Sequence, residues 1–347
     1  MRAVRIEAPG QPVVDRDVPS PAHGPNEVLV EVRAAGICHS DAHYRAGRSA
    51  SLVPPITPGH EVAGVVRAVG RDVTTHRVGD RVCLHYLVTC GHCAACVAGR
   101  ESWCTTGRML GHHRDGGWAE AIVVPARNAV PLPDEITFAH GAVLMCSSAT
   151  ALHALRRGRL APGDTVAVVG IGGLGISAVQ LARALGARAV YAIDPNPAKR
   201  EAAARYGAIP IAAGPGDDPV TALRAHTGGS GVDVSLELVG RPESMQTALR
   251  AAGVQGRAVI AGLSRTPMTL DTYRDLLGPE VELIGANDHL LAELPLLLDL
   301  ARRRALDLTE VVTREVPLEA AAINGVLDAL EAWTAPLRTV ITPEGGR

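Results

Sequence analysis

A glycine-rich turn in the middle of the chain constrains its fold more than any other feature. The apolar run Thr165–Val169 is followed at once by Gly170, Gly172 and Gly175, and a helix-like stretch continues from there. With this G-x-G-x-x-G spacing, Gly170 allows a tight turn, Gly172 lets the backbone come close to a ligand, and Gly175 lets the helix pack on the sheet. The pattern predicts the first strand, turn and helix of a doubly wound parallel sheet.

The next strand ends on a carboxylate, Asp194, nineteen residues after Gly175. An acid at this place can accept hydrogen bonds from the ribose hydroxyls of a dinucleotide, and it repels a 2′-phosphate. The N-terminus of the preceding helix offers free N–H groups to the phosphates. A structural glycine turn is the alternative for the motif taken alone, but Asp194 favours NAD over NADP. The predicted cofactor contacts are Gly170, Gly172, Gly173, Leu174, Gly175 and Asp194.

The pattern of apolar runs and turn residues changes near the middle of the chain. Residues 1–130 hold short β-branched runs interrupted by Gly, Pro and Asp, which is typical of a small irregular barrel. From residue 165 strands alternate with helices, which is typical of a doubly wound sheet. The 347 residues suggest two domains. We therefore predict an α/β fold with a β-barrel-like domain at 1–146, a Rossmann domain with a doubly wound parallel sheet at 147–285, and a return to the first domain at 286–347.

Charge and hydropathy exclude two classes of partner. The 34 basic and 36 acidic residues give a net charge of −2, so no basic excess would attract nucleic acid or acidic lipid. The stretch from Thr165 to Ala182 is uncharged and as long as a short membrane span, but the glycine turn within it favours a buried strand followed by a buried helix. The first residues do not resemble a secretory signal. We expect a cytoplasmic protein that binds neither nucleic acid nor a membrane.

Four of the seven cysteines lie within fifteen residues: Cys90, Cys93, Cys96 and Cys104. Four thiolates at such spacings can hold one tetrahedral Zn²⁺ and leave no position open for water or substrate. Free thiols and disulfides are the alternatives, and a long chain without a signal sequence makes disulfides unfavourable. The sequence predicts a structural zinc in a lobe at about 88–106.

Other potential metal ligands are dispersed along the chain. Cys38 stands at the head of Cys-His-Ser-Asp-Ala-His, Gly59-His60-Glu61 follows a proline-rich stretch, and Cys146 comes much later. Considered alone, Cys146 is more typical of a small buried residue than of a ligand. Spacing cannot assemble these three segments into one site.

A resemblance to a known family joins them. The segment beginning at Gly59, with Gly64, Gly70 and Val73, matches a G-H-E-x2-G-x5-G-x2-V signature at every position, and Gly79-Asp80-Arg81-Val82 matches the next turn. With the cysteine lobe and the glycine turn in the same order, the chain resembles the zinc-dependent medium-chain alcohol dehydrogenase family over essentially its whole length. The resemblance implies that the barrel-like domain is GroES-like and catalytic.

The resemblance also implies a second, open zinc site. Cys38, His60 and Cys146 would hold a catalytic zinc, with Glu61 as a neighbouring carboxylate that in relatives sits behind the metal or replaces its water. Asp41 would orient His60. Two zinc ions per chain are therefore expected. At the open position an alcohol would lose its proton more easily and then pass hydride to NAD.

The remaining functional residues are implied by the same resemblance. Ser40 and His43 would carry the alcohol proton to solvent through the ribose hydroxyls, while His39 would face the cofactor pyrophosphate. A surface role is the alternative for His43. Tyr86 would form a wall of the substrate pocket, which with the small Ser40 suits medium-chain or aromatic primary alcohols. Further cofactor contacts are expected at Lys199, Val239, Leu263 and Arg338.

The implied reaction is reversible oxidation of a primary or secondary alcohol by NAD, giving an aldehyde or ketone. A polyol or formaldehyde dehydrogenase is the alternative within the superfamily, although polyol enzymes usually have Glu where Cys146 falls. A catalytically silent zinc- and dinucleotide-binding protein is the alternative from another class. The compact length favours a homotetramer, with a dimer as the alternative.

Overall fold

The computed structural model describes residues 1–343, which fall into two compact units. The first contains Met1–Cys146, Leu290–Arg302 and the chain from Leu308 onward, and the second contains Ser147–His289 and Arg303–Asp307. The domain boundaries expected from the sequence, after residues 146 and 285, stay predictions.

The strands are β1 (Arg2–Arg5), β2 (Val14–Asp17), β3 (Glu27–Ile37), β4 (Val62–Val69), β5 (Arg81–Leu84), β6 (Leu87–Val88), β7 (Arg108–Met109), β8 (Ala121–Pro125), β9 (Ala129–Pro131), β10 (Thr165–Val169), β11 (Ala189–Asp194), β12 (Ile209–Ala212), β13 (Val232–Glu237), β14 (Ala252–Ile260), β15 (Glu282–Gly285), β16 (Val312–Pro317) and β17 (Arg338–Thr342). The α-helices are α1 (His39–Arg45), α2 (Ala94–Val97), α3 (Phe138–Val143), α4 (Ala149–Arg157), α5 (Gly173–Ala184), α6 (Pro197–Arg205), α7 (Pro219–His226), α8 (Pro242–Ala251), α9 (Leu294–Arg302) and α10 (Ala320–Glu331).

The first unit is built on a largely antiparallel sheet in the order β16-β17-β3-β4-β5-β9, with β8 paired to β3. Strand β3 is its longest member in the described chain, and Val28, Val30 and Val32 alternate toward the core. This period of two buries one face of the strand in the same apolar cluster as the Trp118 ring. The last strand, β17, pairs antiparallel with β3, so the C-terminal part of the chain completes this sheet.

The second unit contains a parallel sheet in the order β12-β11-β10-β13-β14-β15. Each strand pairs parallel with its neighbour, and the order reverses between β10 and β13. This is the doubly wound arrangement, in which ligands bind beyond the carboxyl ends of the strands where the order reverses. The glycine turn follows β10 at that point. The predicted fold class is confirmed.

One helical run within residues 1–343, Phe138–Arg157, is long and apolar enough to cross a membrane by length and composition. Of its most apolar window, 83% is buried inside the protein, as expected for a core helix. The run combines α3, a π-helical turn at Leu144–Ser148, and α4. Cys146 lies in that π-helical turn, and such turns occur frequently at functional sites.

The backbones of the paired strands β3 and β4 come very close at Gly64, and a substitution there can test this approach. A Cβ at residue 64 would lie 2.0 Å from the Glu31 carbonyl oxygen, a backbone atom that cannot turn away. We expect Gly64→Ala to reduce the free energy of unfolding by about 1–3 kcal/mol, the usual cost of overpacking. The matched control is Gly325→Ala in α10, where a Cβ meets nothing within 4 Å and should stabilise the helix by about 0.5–1 kcal/mol. Equal denaturation midpoints for the two variants would contradict this account.

Candidate active site

The four lobe cysteines gather around one point. The sulfurs of Cys90 and Cys104 are 3.7 Å apart, and those of Cys90 and Cys96 are 3.9 Å apart. A tetrahedral zinc with Zn–S distances of about 2.3 Å places its sulfurs about 3.8 Å from one another. The backbone N–H groups of His92 and Cys93 lower the pKa of Cys90 to about 6. Distances and charge therefore fit a closed Zn²⁺ site, with the backbone favouring one thiolate before any metal binds.

A second ligand cluster lies in the first unit and is wholly buried. It consists of Cys38, His60, Glu61 and Cys146, whose donor atoms all lie within 4.8 Å of one another. Cys38 is the N-cap of α1, His60 and Glu61 directly precede β4, and Cys146 comes from the π-helical turn. The tertiary fold thus assembles the three segments that spacing could not join. With the cysteine lobe, the described residues contain two candidate zinc sites.

The Asp41 carboxylate lies between the start of α1 and the His60 ring. One carboxylate oxygen of Asp41 accepts a hydrogen bond from the Cys38 N–H at 2.8 Å, which closes the first turn of α1. The other carboxylate oxygen lies 3.4 Å from His60 Nδ1. Both ring nitrogens of His60 and this Asp41 oxygen are buried, and none of the three has a hydrogen-bond partner among the described residues. A metal ion bound at Nε2 would satisfy that nitrogen, and metal-bound histidines usually donate their other N–H to a carboxylate such as Asp41.

The two buried thiols behave as a pair. A hydrogen bond between them lowers the pKa of Cys38 well below its usual value and raises that of Cys146. The pKa of His60 is raised, because Asp41 and Cys38 together outweigh burial, which opposes its charge. Protons and a metal therefore compete for the same donors, and metal binding requires both thiols and the imidazole to give up their protons.

Glu61 forms a buried ion pair with Arg338, the first residue of β17. Burial raises the pKa of Glu61 to about 7, and the Arg338 guanidinium opposes that shift. Burial disfavours the charged form of Arg338 as well, but Glu61 and the two cysteines raise its pKa. The second oxygen of Glu61, Oε1, is buried without a hydrogen-bond partner in the described chain. Glu61 thus has one oxygen for Arg338 and one for the metal cluster.

The ion pair between Arg338 and Glu61 was not predicted from the sequence, because the two residues are 277 positions apart and no local pattern links them. The Arg338 side chain is only 5% exposed. Its predicted contact with the cofactor pyrophosphate stays a prediction.

The predicted relay residues share α1. Ser40 Oγ lies 3.8 Å from Cys38 Sγ. The ring of His39 lies 4.9 Å from that of His43 and 4.8 Å from that of Trp333, between centroids. His43 is half-buried, and Arg48 Nη1 lies 3.1 Å from its Nδ1. The sequence indicated neither Trp333 nor Arg48 as a neighbour of these histidines.

The buried Tyr86 lies beside the metal cluster. Its ring meets the His60 ring edge-on, with the centroids 5.3 Å apart. Tyr86 is therefore next to a candidate metal ligand. Its contact with substrate, as a wall of the pocket, stays a prediction.

In the second unit, the glycine turn has the geometry its spacing predicts. Gly170 has φ of +94°, and a Cβ at Gly175 would lie 2.0 Å from the Gly170 carbonyl oxygen. A side chain at residue 172 would instead meet no protein atom within 4 Å. Protein packing therefore explains two of the three glycines, and the third fits the close approach of a phosphate to the backbone.

Asp194 ends β11 beside this turn and is held by two backbone donors. Its carboxylate oxygens accept from Ile171 N–H and from Asn196 N–H, both at 2.8 Å. The pair of hydrogen bonds holds the carboxylate at the turn, and each oxygen keeps a further lone pair for a hydroxyl.

Apart from His39 and Arg338, the other predicted cofactor residues are in the second unit. Lys199 is half-buried on α6, and Leu263 is exposed. Val239 lies against Gly170, where a Cβ on residue 170 would clash with the Val239 side chain. Gly173 and Leu174 begin α5. No ligand contact tests these residues, and their roles stay predictions.

Comparisons with known proteins agree with both units. Residues 24–134 match the family model of the alcohol dehydrogenase GroES-like domain, and residues 173–301 match that of the zinc-binding dehydrogenases. The NAD-dependent alcohol dehydrogenase of Sulfurisphaera tokodaii is 32% identical over 99% of this chain and 100% of its own length. The L-threonine 3-dehydrogenase of Symbiobacterium thermophilum is 36% identical over 80% of this chain and 79% of its own.

A solved structure shows the same architecture. The alcohol dehydrogenase TADH from Thermus sp. ATN1 superposes with a TM-score of 0.90 at 30% identity, covering 99% of each chain. The chain belongs to the zinc-binding medium-chain alcohol dehydrogenase family, as its motifs predicted.

The cysteines allow the two candidate sites to be separated. We expect native mass spectrometry to find two zinc ions per chain, and Cys38→Ser and Cys93→Ser to lose one each. Cys93→Ser should also lower the thermal midpoint, because a closed structural site contributes folding free energy. Cys83→Ser is the control, since burial raises the pKa of this thiol to about 12 and its sulfur faces the Val130 carbonyl rather than a cluster. A single zinc in the unmodified protein would refute one of the two sites.

Proposed function

We propose that this protein is an NAD-dependent alcohol dehydrogenase that interconverts a primary or secondary alcohol with the corresponding aldehyde or ketone. The observation that carries the proposal is the buried cluster of Cys38, His60, Glu61 and Cys146, backed by Asp41. Two thiolates and one imidazole would neutralise a bound Zn²⁺, and three protein ligands of these types are the donor set of a catalytic zinc. Such an ion, when bound, would supply a Lewis acid that favours the alkoxide form of an alcohol.

The surrounding residues would orient the reactants and exclude water. Asp41 keeps the His60 ring in one orientation, and the buried Tyr86 ring covers its edge. Arg338 neutralises Glu61, so the carboxylate adds little net charge beside the substrate. Burial of the cluster strengthens each of these electrostatic interactions relative to water.

Ser40 and His43 would move the proton that the alcohol loses. Ser40 Oγ lies 3.8 Å from the Cys38 sulfur, where its hydroxyl can both accept and donate a proton. His43 stands further along the same helix, half-buried, where it can release a proton to solvent. On this proposal Ser40 accepts the proton that the alcohol loses, and His43, further along the same helix, releases a proton to solvent.

Asp194 supports NAD as the cofactor, and two relatives support the reaction class. The Sulfurisphaera relative is named an NAD-dependent alcohol dehydrogenase. The Symbiobacterium relative is named an L-threonine 3-dehydrogenase, which favours a secondary amino alcohol as the second candidate substrate class. A cytoplasmic location belongs to the same proposal. So does a homotetramer, with a dimer as the alternative, and light scattering tests this oligomeric state.

Turnover is the direct test. We expect the zinc-loaded enzyme to form NADH from NAD with medium-chain or aromatic primary alcohols, and we expect L-threonine to be the better substrate only if the second candidate is correct. Ser40→Ala should reduce kcat by about 10²–10⁴-fold, the usual contribution of a positioned proton-transfer group. Ser51→Ala, an exposed serine of the same unit, is the control. Absence of NADH formation with every alcohol would refute the proposed function.

Cofactor preference tests Asp194. We expect Asp194→Ala to lower kcat/KM for NAD by about 10–100-fold, because it removes hydrogen bonds to a charged acceptor worth about 1.5–3 kcal/mol each. Its use of NADP should rise or stay level, since the carboxylate no longer opposes a 2′-phosphate. Glu201→Gln, which removes an exposed carboxylate from α6 in the same unit, is the control. An unchanged NAD/NADP ratio in Asp194→Ala would exclude a contact between this residue and the ribose.

A further inference from the structure

Arg48 makes a contact with His43 that the proposed reaction does not account for. Its Nη1 lies 3.1 Å from His43 Nδ1, and its Nη2 lies 3.4 Å from Glu331 Oε1 at the end of α10. The backbone supports this arrangement, because Arg48 N–H donates to the His43 carbonyl at 3.0 Å. The guanidinium is thus tied at one end to the imidazole and at the other to a carboxylate.

The chemistry of the two groups decides where the protons are. A guanidinium only donates hydrogen bonds and stays protonated throughout the accessible pH range. His43 Nδ1 must therefore accept, which leaves the ring proton of the neutral form on Nε2. A protonated imidazole would carry N–H groups at both nitrogens, and Nδ1–H would then point at the Arg48 donor.

We propose that Arg48 is a positioning residue for the proton relay, which selects the Nε2–H tautomer of His43 and opposes formation of its imidazolium. The inference rests on the proposed function, because the relay role of His43 belongs to that proposal. To take up a proton, His43 must release the Arg48 donor from Nδ1. Glu331, already within reach of Nη2, keeps the released guanidinium nearby.

The charges around His43 act in the same direction. Burial lowers the pKa of His43 most. The charges of His39 on the same helix and of Arg48 just after that helix lower it further. Two groups oppose this: Cys38 at the N-cap of α1 and Glu331 from α10. Glu331 is shared with the buried Arg45, whose Nη2 lies 2.9 Å from its other oxygen, so its charge is largely engaged by arginines. His43 therefore stays neutral to a lower pH than an isolated histidine.

The consequence for the reaction is a direction of pH dependence. Alcohol oxidation needs His43 deprotonated, so the acidic limb of the kcat/KM profile follows its pKa. By lowering that pKa, Arg48 extends oxidation to more acidic conditions. Without Arg48 the limb moves to higher pH.

The test reads His43 directly by ¹⁵N NMR of histidine-labelled, zinc-loaded protein, with the His43→Gln variant assigning its resonances. We expect the unmodified protein to show the Nε2–H tautomer, and Arg48→Met to lose that preference and raise the pKa of His43 by about 0.5–1 unit, less than a buried neighbouring charge would give because Arg48 is half-exposed. Arg71→Met, which removes an exposed arginine next to Asp72, is the matched control and should leave His43 unchanged. Arg48 is 54% exposed, so its loss should not unfold the chain.

The kinetic arm separates this inference from the proposed function. We expect the acidic limb of kcat/KM for alcohol oxidation in Arg48→Met to move up by the shift that NMR reports, which is about a threefold to tenfold loss of activity below the limb. An identical tautomer and pKa of His43 in Arg48→Met and the unmodified protein would overturn the inference and leave the proposed function standing. An NMR shift without a movement of the limb would overturn the relay role of Arg48. Absence of turnover in the unmodified enzyme would overturn the proposed function itself.

Discussion

The ion pair between Glu61 and Arg338 is the interaction on which the first unit most depends. Each charge is almost wholly buried, and burying an unpaired charge of this kind costs several kcal/mol. Arg338 begins β17, which pairs with β3, while Glu61 directly precedes β4 on the other side of β3. The pair thus links two strands that flank the same neighbour. It joins the C-terminal part of the chain to the residue next to a metal ligand.

Gly36 in β3 makes this pair possible. A Cβ at residue 36 would lie 1.9 Å from a Glu61 carboxylate oxygen, and the Gly36 N–H donates to the Glu61 carbonyl at 2.9 Å. Only glycine leaves room for the carboxylate above this strand. A divalent cation in the neighbouring cluster would favour the ionised form of Glu61, which burial alone disfavours. Strand packing and metal chemistry therefore stabilise the same carboxylate.

How much could be predicted from the sequence depended on the sequence separation of the interacting residues. The glycine turn, Asp194 and the four lobe cysteines are local patterns. Their spacing is set by the backbone geometry of short segments of the chain. Cys146 belongs to the metal cluster only because a helical run brings it back to Cys38, and the sequence alone favoured an ordinary buried cysteine there. The partner of Arg338 is 277 residues away, and Arg48 meets His43 through the turn that ends α1. These contacts depend on tertiary structure and on side-chain direction, neither of which leaves a periodic signal.

Asp41 shows how one short helix connects the separate parts of the candidate site. Its carboxylate accepts from the Cys38 N–H at the start of α1 and also lies 3.4 Å from His60 Nδ1, so one group contacts both the helix start and the imidazole ring. Ser40 and His43 follow on that helix at fixed angles from Cys38. Their directions relative to the metal ligands are consequently set by helical geometry and not by flexible loops. Arg48 lies just after the same helix, and its backbone N–H donates to the His43 carbonyl. On the proposed function, metal ligation and proton transfer would therefore share one short helix, which would keep the reacting groups of a chain with such dispersed ligands at fixed positions relative to one another.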